Sequence, residues 1–246
     1  MTTGSTRLRK SLLGDYALDN WHNHRVDREA FIIYVGSDPR QEQNDSDEAG
    51  VEHHMADRLE LNLNILNHID PNRPILIVMG TCGGDWDAGM QMFGALLTVT
   101  NPITVLGTRH NRSMSSIIPL AADRFLMRPP TKFMFHYGTW GFDGTAGGAA
   151  LAAFTQLKDS NDVMTRLYVA RLKEQGKFKN KHPSFIRHML EEQMNRKGDV
   201  WLSTDEAVDW GFADGVALGP VPRIEKRNMK RRGAMMAVLR KPKGKA

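Results

Sequence analysis

Short apolar runs separated by amphipathic stretches constrain this chain most, because few architectures accommodate that alternation. Phe31-Ile32-Ile33-Tyr34-Val35 stops at Gly36, and Ile75-Leu76-Ile77-Val78-Met79 is apolar throughout. Ile103-Thr104-Val105-Leu106 stops at Gly107, while Arg124-Phe125-Leu126-Met127 and Lys132-Phe133-Met134-Phe135 flank Pro129-Pro130. Length and apolar content make each of these a strand. A run without polar alternation, such as 75–79, is expected to be buried on both faces, as in a parallel sheet. Val51, Met55, Leu59, Leu63, Leu66 and Ile69 recur at three- and four-residue spacing and predict a helix. A second helix is predicted over 85–99, with acids in its first turn and Met90, Phe93, Leu96 and Leu97 inward. Strands alternating with helices imply right-handed βαβ crossovers and a mainly parallel α/β sheet.

The remaining segments frame this core. Residues 1–29 form a polar arm with a short helix near 11–18, and 37–50 form an acidic loop. His53 and His54 lie off the apolar stripe and are expected at the surface. A helix opens at Ser113 and runs to 122, with Pro119 expected to kink it. Residues 138–148 are glycine-rich. A long helix follows over 149–174, some 40 Å at ~1.5 Å per residue, so part of it is expected to pack on another subunit. Residues 184–195 form another amphipathic helix. Ser203-Thr204-Asp205-Glu206 is a capping box for a short helix closed by Gly211.

Composition excludes some functions. No stretch nears the ~18 consecutive apolar residues of a membrane span, and no secretory leader is evident, so a cytoplasmic location without membrane association is expected. The single Cys82 permits no internal disulfide. The net charge of +5 is concentrated at the end: from Arg223 onward there are ten Lys/Arg against one Glu, leaving the rest net acidic. Residues 219–246 are therefore expected to be a flexible basic tail. The main body lacks a basic stripe interleaved with aromatics, so nucleic acid is not expected as substrate.

Three features carry chemistry. Ser113 is either the N-cap of its helix or a nucleophile whose following amide, on Met114, holds an oxyanion. His136, after an apolar strand, is either a satisfied structural residue or a general base. Gly83-Gly84 is either a tight turn or a source of backbone amides for a peptide and an oxyanion. Ser115 and Ser116 are rivals deeper in the helix. Cys82 is a lesser rival nucleophile, and Asp85 and Asp87 suit a helix start without any metal.

Taken in order, Thr81-Cys82-Gly83-Gly84 with a later Ala88-Gly89, then Ser113-Met114, Phe133-Met134-Phe135-His136 and Glu206-Ala207-Val208-Asp209-Trp210-Gly211 form a pattern. It resembles the ClpP family of self-compartmentalising serine peptidases over roughly residues 31–216. The resemblance implies a ClpP/crotonase-like α/β fold, a repeated βαβ spiral with a long protruding handle helix. It implies a peptidase domain over 31–218 between the arm (1–30) and the tail (219–246). It implies Ser113 as nucleophile, His136 as base and Gly84 and Met114 as oxyanion-hole amides. Gly83, Gly141, Phe142 and Gly144 would bind the peptide backbone. It further implies unfolded polypeptide as substrate, a homo-oligomer of stacked heptameric rings, and a hexameric AAA+ unfoldase as partner, with no metal and no cofactor.

Several departures stand out. The approach Gly107-Thr108-Arg109-His110-Asn111-Arg112 to Ser113 is two residues longer than the family's and unusually charged. Anchoring on Trp201-Leu202-Ser203 puts Asn195 where the family's third triad member is expected, with Asp199 as the fallback. An amide there could still fix the histidine tautomer, or it could mark a non-catalytic ring subunit. A crotonase-type acyl-CoA enzyme is a further alternative and would need a carboxylate pair in place of Ser/His.

Overall fold

The computed structural model describes residues 19–36, 50–139 and 147–240. The helix expected near 11–18, nearly all of the acidic loop over 37–50, and Gly141, Phe142 and Gly144 lie outside the described residues. Among those described, eight strands form one sheet: β1 (Val26–Asp27), β2 (Ile32–Val35), β3 (Ile75–Thr81), β4 (Ile103–Arg112), β5 (Arg124–Met127), β6 (Lys132–Phe135), β7 (Val200–Leu202) and β8 (Gly215–Val216). Their order is β1-β2-β3-β4-β5-β8, with β6 branching from β4 and carrying β7. Pairings are parallel except β1–β2 and β6–β7. The helices are α1 (His53–Ile69), α2 (Trp86–Thr98), α3 (Met114–Ile117), α4 (Gly148–Leu172), α5 (Pro183–Lys197), α6 (Thr204–Trp210) and α7 (Met229–Arg240). The fold is the mixed α/β class expected.

Local chemistry explains the boundaries. Asp85 caps α2 by accepting from the Ala88 amide. The Ser203/Glu206 capping box is formed at α6, and Gly211 ends that helix at φ 105°. Pro119 coincides with a change from α3 to a 3-10 turn over Ile118–Ala121. No described helix is long and apolar enough to cross a membrane. His53 and His54 are exposed.

β4 does not stop at Gly107. It continues through Arg112, first pairing with β5 over Thr104–Gly107 and then with β6 over His110–Arg112. Against β3 the register runs Met79↔Gly107 and then Thr81↔Asn111, so two extra residues are absorbed in β4. The lengthened, charged approach to Ser113 is therefore a bulged strand. Its charged residues hid it from a pattern search.

The core lies mainly between the sheet and α1, α2 and α4, around Leu59, Leu63, Phe93, Ile77 and Phe135. The other face carries a smaller cluster of Leu76, Leu106, Leu126 and Ala217, with Val221 against it. The Ile224 amide donates to Thr104 Oγ1 (3.0 Å) there, so the C-terminal segment crosses the sheet face.

Over the described residues 219–240, that segment corrects the expectation of a flexible basic tail. Arg231, 3% exposed, pairs with Asp214 through two bonds (2.7 and 2.9 Å) and with Glu174 at 2.7 Å. The fully buried Arg171 bonds the same two carboxylates, and Arg227 reaches Asp123 at 2.9 Å. Local composition reads these arginines as solvated because their acidic partners are remote in sequence.

Burial alone would raise the Asp214 pKa, but hydrogen bonds from Arg231 and the charges of Arg171 and Arg231 hold it well below the carboxylate range. Its folded pKa thus lies below its unfolded value of about 3.9. The stability it contributes is complete above that pH and is lost as pH falls through the interval below it. Arg231→Ala is expected to cost about 3 kcal/mol at neutral pH, since it leaves the partly buried Asp214 and Glu174 with Arg171 alone to compensate them. Urea unfolding from pH 7 to pH 2 checks this: the difference between variant and wild type should shrink once the pH falls below about 3.9.

Candidate active site

Ser113 joins β4 to α3 and has φ 53°, ψ −128°. A side chain in this left-handed region is strained by about 1–3 kcal/mol. The turn that holds it is crowded. Gly83, at φ 89°, lies so close that an added Cβ would be 2.6 Å from the Arg112 carbonyl oxygen and from Ser113 Cβ. Gly84, at φ 153°, abuts the Val51 backbone, where a Cβ would be 2.4 Å from an oxygen. Both positions of the diglycine therefore require the absence of a side chain.

Ser113 occupies the N-cap position of α3, yet its hydroxyl makes no capping bond. Instead Ser113 Oγ lies 2.8 Å from His136 Nε2. His136 directly follows β6 and is 20% exposed at its side chain. Behind it, Asp199 Oδ1 is 3.2 Å from His136 Nδ1. With Nδ1–H facing that carboxylate, Nε2 is left as the acceptor for the serine proton.

The antiparallel pairing of β6 with β7 explains why Asp199 stands there. Phe135 pairs with Val200, so the next residue on one strand and the preceding one on the other, His136 and Asp199, meet. The expectation favouring Asn195 is corrected. Asn195 is exposed near the end of α5 and has no hydrogen bond to His136. The anchor Trp201-Leu202-Ser203 was sound, but counting back by family spacing ignored the strand register. That register was the missing signal.

Met114 is the first residue of α3, so its N–H has no partner within the helix. Met114, Gly84, Ser113 and His136 all line one cavity of about 420 Å³, a size suited to a substrate side chain. Ile117, Leu157 and Met164 supply apolar lining, and Asp85 and Asp87 also line it. The rivals are occupied elsewhere: Cys82 Sγ faces the Gly83 carbonyl at 3.6 Å, and the buried Ser115 hydroxyl is bonded to Thr81. Ser116 bonds the Ser113 carbonyl and the Tyr168 hydroxyl, a connection the sequence reasoning missed. Among the described residues no group of three or more His, Cys, Asp or Glu is arranged to hold a metal.

Comparisons with known proteins point one way. A family model described as Clp protease matches residues 47–219. The chain is 28% identical over 149 residues to ATP-dependent Clp protease proteolytic subunit 1 of Chlamydia abortus, covering 60% of this chain and 71% of that protein. It is 29% identical over 149 residues to the protein of the same name from Protochlamydia amoebophila, covering 60% and 66%. It is 25% identical over 168 residues to ATP-dependent Clp protease proteolytic subunit of Deinococcus radiodurans, covering 68% and 76%.

Proposed function

Because the chain belongs to the Clp protease family, we propose that it is a serine endopeptidase that cleaves unfolded polypeptide through an acyl-enzyme on Ser113. The observation that carries this reading is the chain Ser113 Oγ, His136 Nε2, His136 Nδ1, Asp199 Oδ1, with contacts of 2.8 and 3.2 Å. Ser113 Oγ attacks the scissile carbonyl carbon and His136 takes the hydroxyl proton. The amides of Gly84 and Met114 hold the oxyanion. The C–N bond breaks as His136 returns the proton to the departing amine. Water, deprotonated by His136, then attacks the ester and releases Ser113.

The assembly is proposed on the family's pattern: stacked heptameric rings enclosing the sites, fed by a hexameric AAA+ unfoldase. Leu151 and Phe154 on α4 are 68% and 65% exposed, which suits packing of that long helix against another subunit. The three-part division into arm, peptidase domain and C-terminal segment belongs to the same proposal. Asp199, a carboxylate rather than an amide, stands behind His136, which supports the active peptidase over the alternative of an inactive ring subunit.

A fluorophosphonate probe tests the reading, with casein degradation and native mass measured in parallel. One probe adduct per subunit, mapped to Ser113 and absent in Ser113→Ala, is expected. Assembled wild-type protein that neither labels nor degrades casein would overturn it. Acyl-CoA turnover indifferent to Ser113→Ala would instead identify a crotonase-type enzyme.

A further inference from the structure

Ser116 has one hydroxyl proton, and proton accounting fixes where it goes. Its Oγ lies 2.6 Å from the Ser113 carbonyl oxygen, which can only accept, so Ser116 donates there. The 2.6 Å contact between Ser116 Oγ and the Tyr168 hydroxyl must then have Tyr168 as donor. The Ser116 amide also donates to the Ser113 carbonyl, at 2.9 Å, so that carbonyl receives two donors. Tyr168 is 0% exposed and packed between Phe135 and Phe212, with ring centroids 5.7 and 5.5 Å away. Burial raises its pKa well above the usual phenol value, opposed only in part by Ser116, so the donor keeps its proton at any working pH.

The Ser113 carbonyl belongs to the same peptide unit as the Met114 N–H. Amide resonance couples the two ends, so donors at the oxygen draw density from the nitrogen and strengthen the N–H as a donor. Hydrogen bonds in series polarise one another by about 10–30% per bond. We propose that Tyr168 and Ser116 form a positioning relay that fixes the strained Ser113 backbone and polarises the Ser113–Met114 peptide toward the oxyanion. This deepens the serine-peptidase reading and rests on it. Neither residue lines the cavity, so neither touches substrate; both act through Ser113 and Met114.

The relay predicts an effect confined to tetrahedral species. Tyr168→Phe keeps the ring and removes the donor; Ser116→Ala removes the link and guards against a folding defect at position 168. Three quantities are measured for each: kcat and KM on a fluorogenic peptide, inhibition by a peptide aldehyde, and inhibition by the matching peptide alcohol. The aldehyde bonds to Ser113 Oγ, the serine proton passes to His136, and the former carbonyl oxygen occupies the oxyanion position. The alcohol binds without that bond.

Each variant is expected to lose about tenfold in kcat and in aldehyde affinity, given that deleting an oxyanion donor outright costs about 10²–10³. KM and alcohol affinity should stay unchanged, and the double variant should be no worse than the poorer single one. Unchanged kcat and aldehyde affinity would overturn the relay, as would equal weakening of aldehyde and alcohol. Wild type that neither hydrolyses peptide nor accepts the fluorophosphonate overturns the peptidase reading, and the relay with it.

Discussion

Ser113→Ala is expected to lower kcat for peptide hydrolysis by about 10⁶-fold with little change in KM, because the hydroxyl forms a bond only along the reaction path. His136→Ala should cost nearly as much. An unassisted serine hydroxyl is a weak nucleophile, and in the proposed mechanism His136 Nε2, 2.8 Å away, takes its proton. The double variant should be no slower than either single one, since the two groups act as a unit. The residual rate, about 10³–10⁴ over water, then measures what the proposed oxyanion amides of Gly84 and Met114 and the cavity supply. Ser113→Gly adds a stability readout. It should be equally inactive but about 1 kcal/mol more stable than Ser113→Ala, because glycine tolerates φ 53°. A Ser113→Ala enzyme retaining more than a tenth of wild-type kcat would refute the assignment.

The parts of this structure that were legible in the sequence are those specified locally. β3 is visible because 75–79 is apolar without interruption, and α6 because Ser203, Glu206 and Gly211 punctuate it within nine residues. Ser113, His136 and the diglycine were individually ambiguous, and only their order along the chain gave them a common meaning. What stayed hidden depends on tertiary pairing. Nothing near Arg231 shows that Asp214 and Glu174 will surround it, so a buried arginine looks like part of a solvated run. The extension of β4 is masked because Arg109, His110 and Arg112 break the apolar pattern while the backbone continues to pair with β6. The positive φ of Ser113 belongs to a turn packed so closely on Gly83 that a side chain there would collide, and no propensity of serine announces it.

The identity of the third group behind His136 is the sharpest such case, and it separates two substitutions that sequence spacing alone would rank the wrong way round. Asp199→Asn is expected to reduce kcat by about 10²–10⁴-fold. The upper figure belongs to a buried aspartate whose replacement lets an amide N–H face Nδ1 and drives the proton onto Nε2, where it opposes Ser113. Asp199 is 52% exposed at its side chain, so solvent screens part of its charge and permits rotation, which argues for the lower half of that range. Asn195→Ala and Asn195→Asp should both stay within about twofold of wild type, because the Asn195 side chain is exposed and bonds nothing at the site. A large loss in Asn195→Ala with Asp199→Asn unaffected would restore the amide as the group that orients His136, and with it the case for a weakly active subunit.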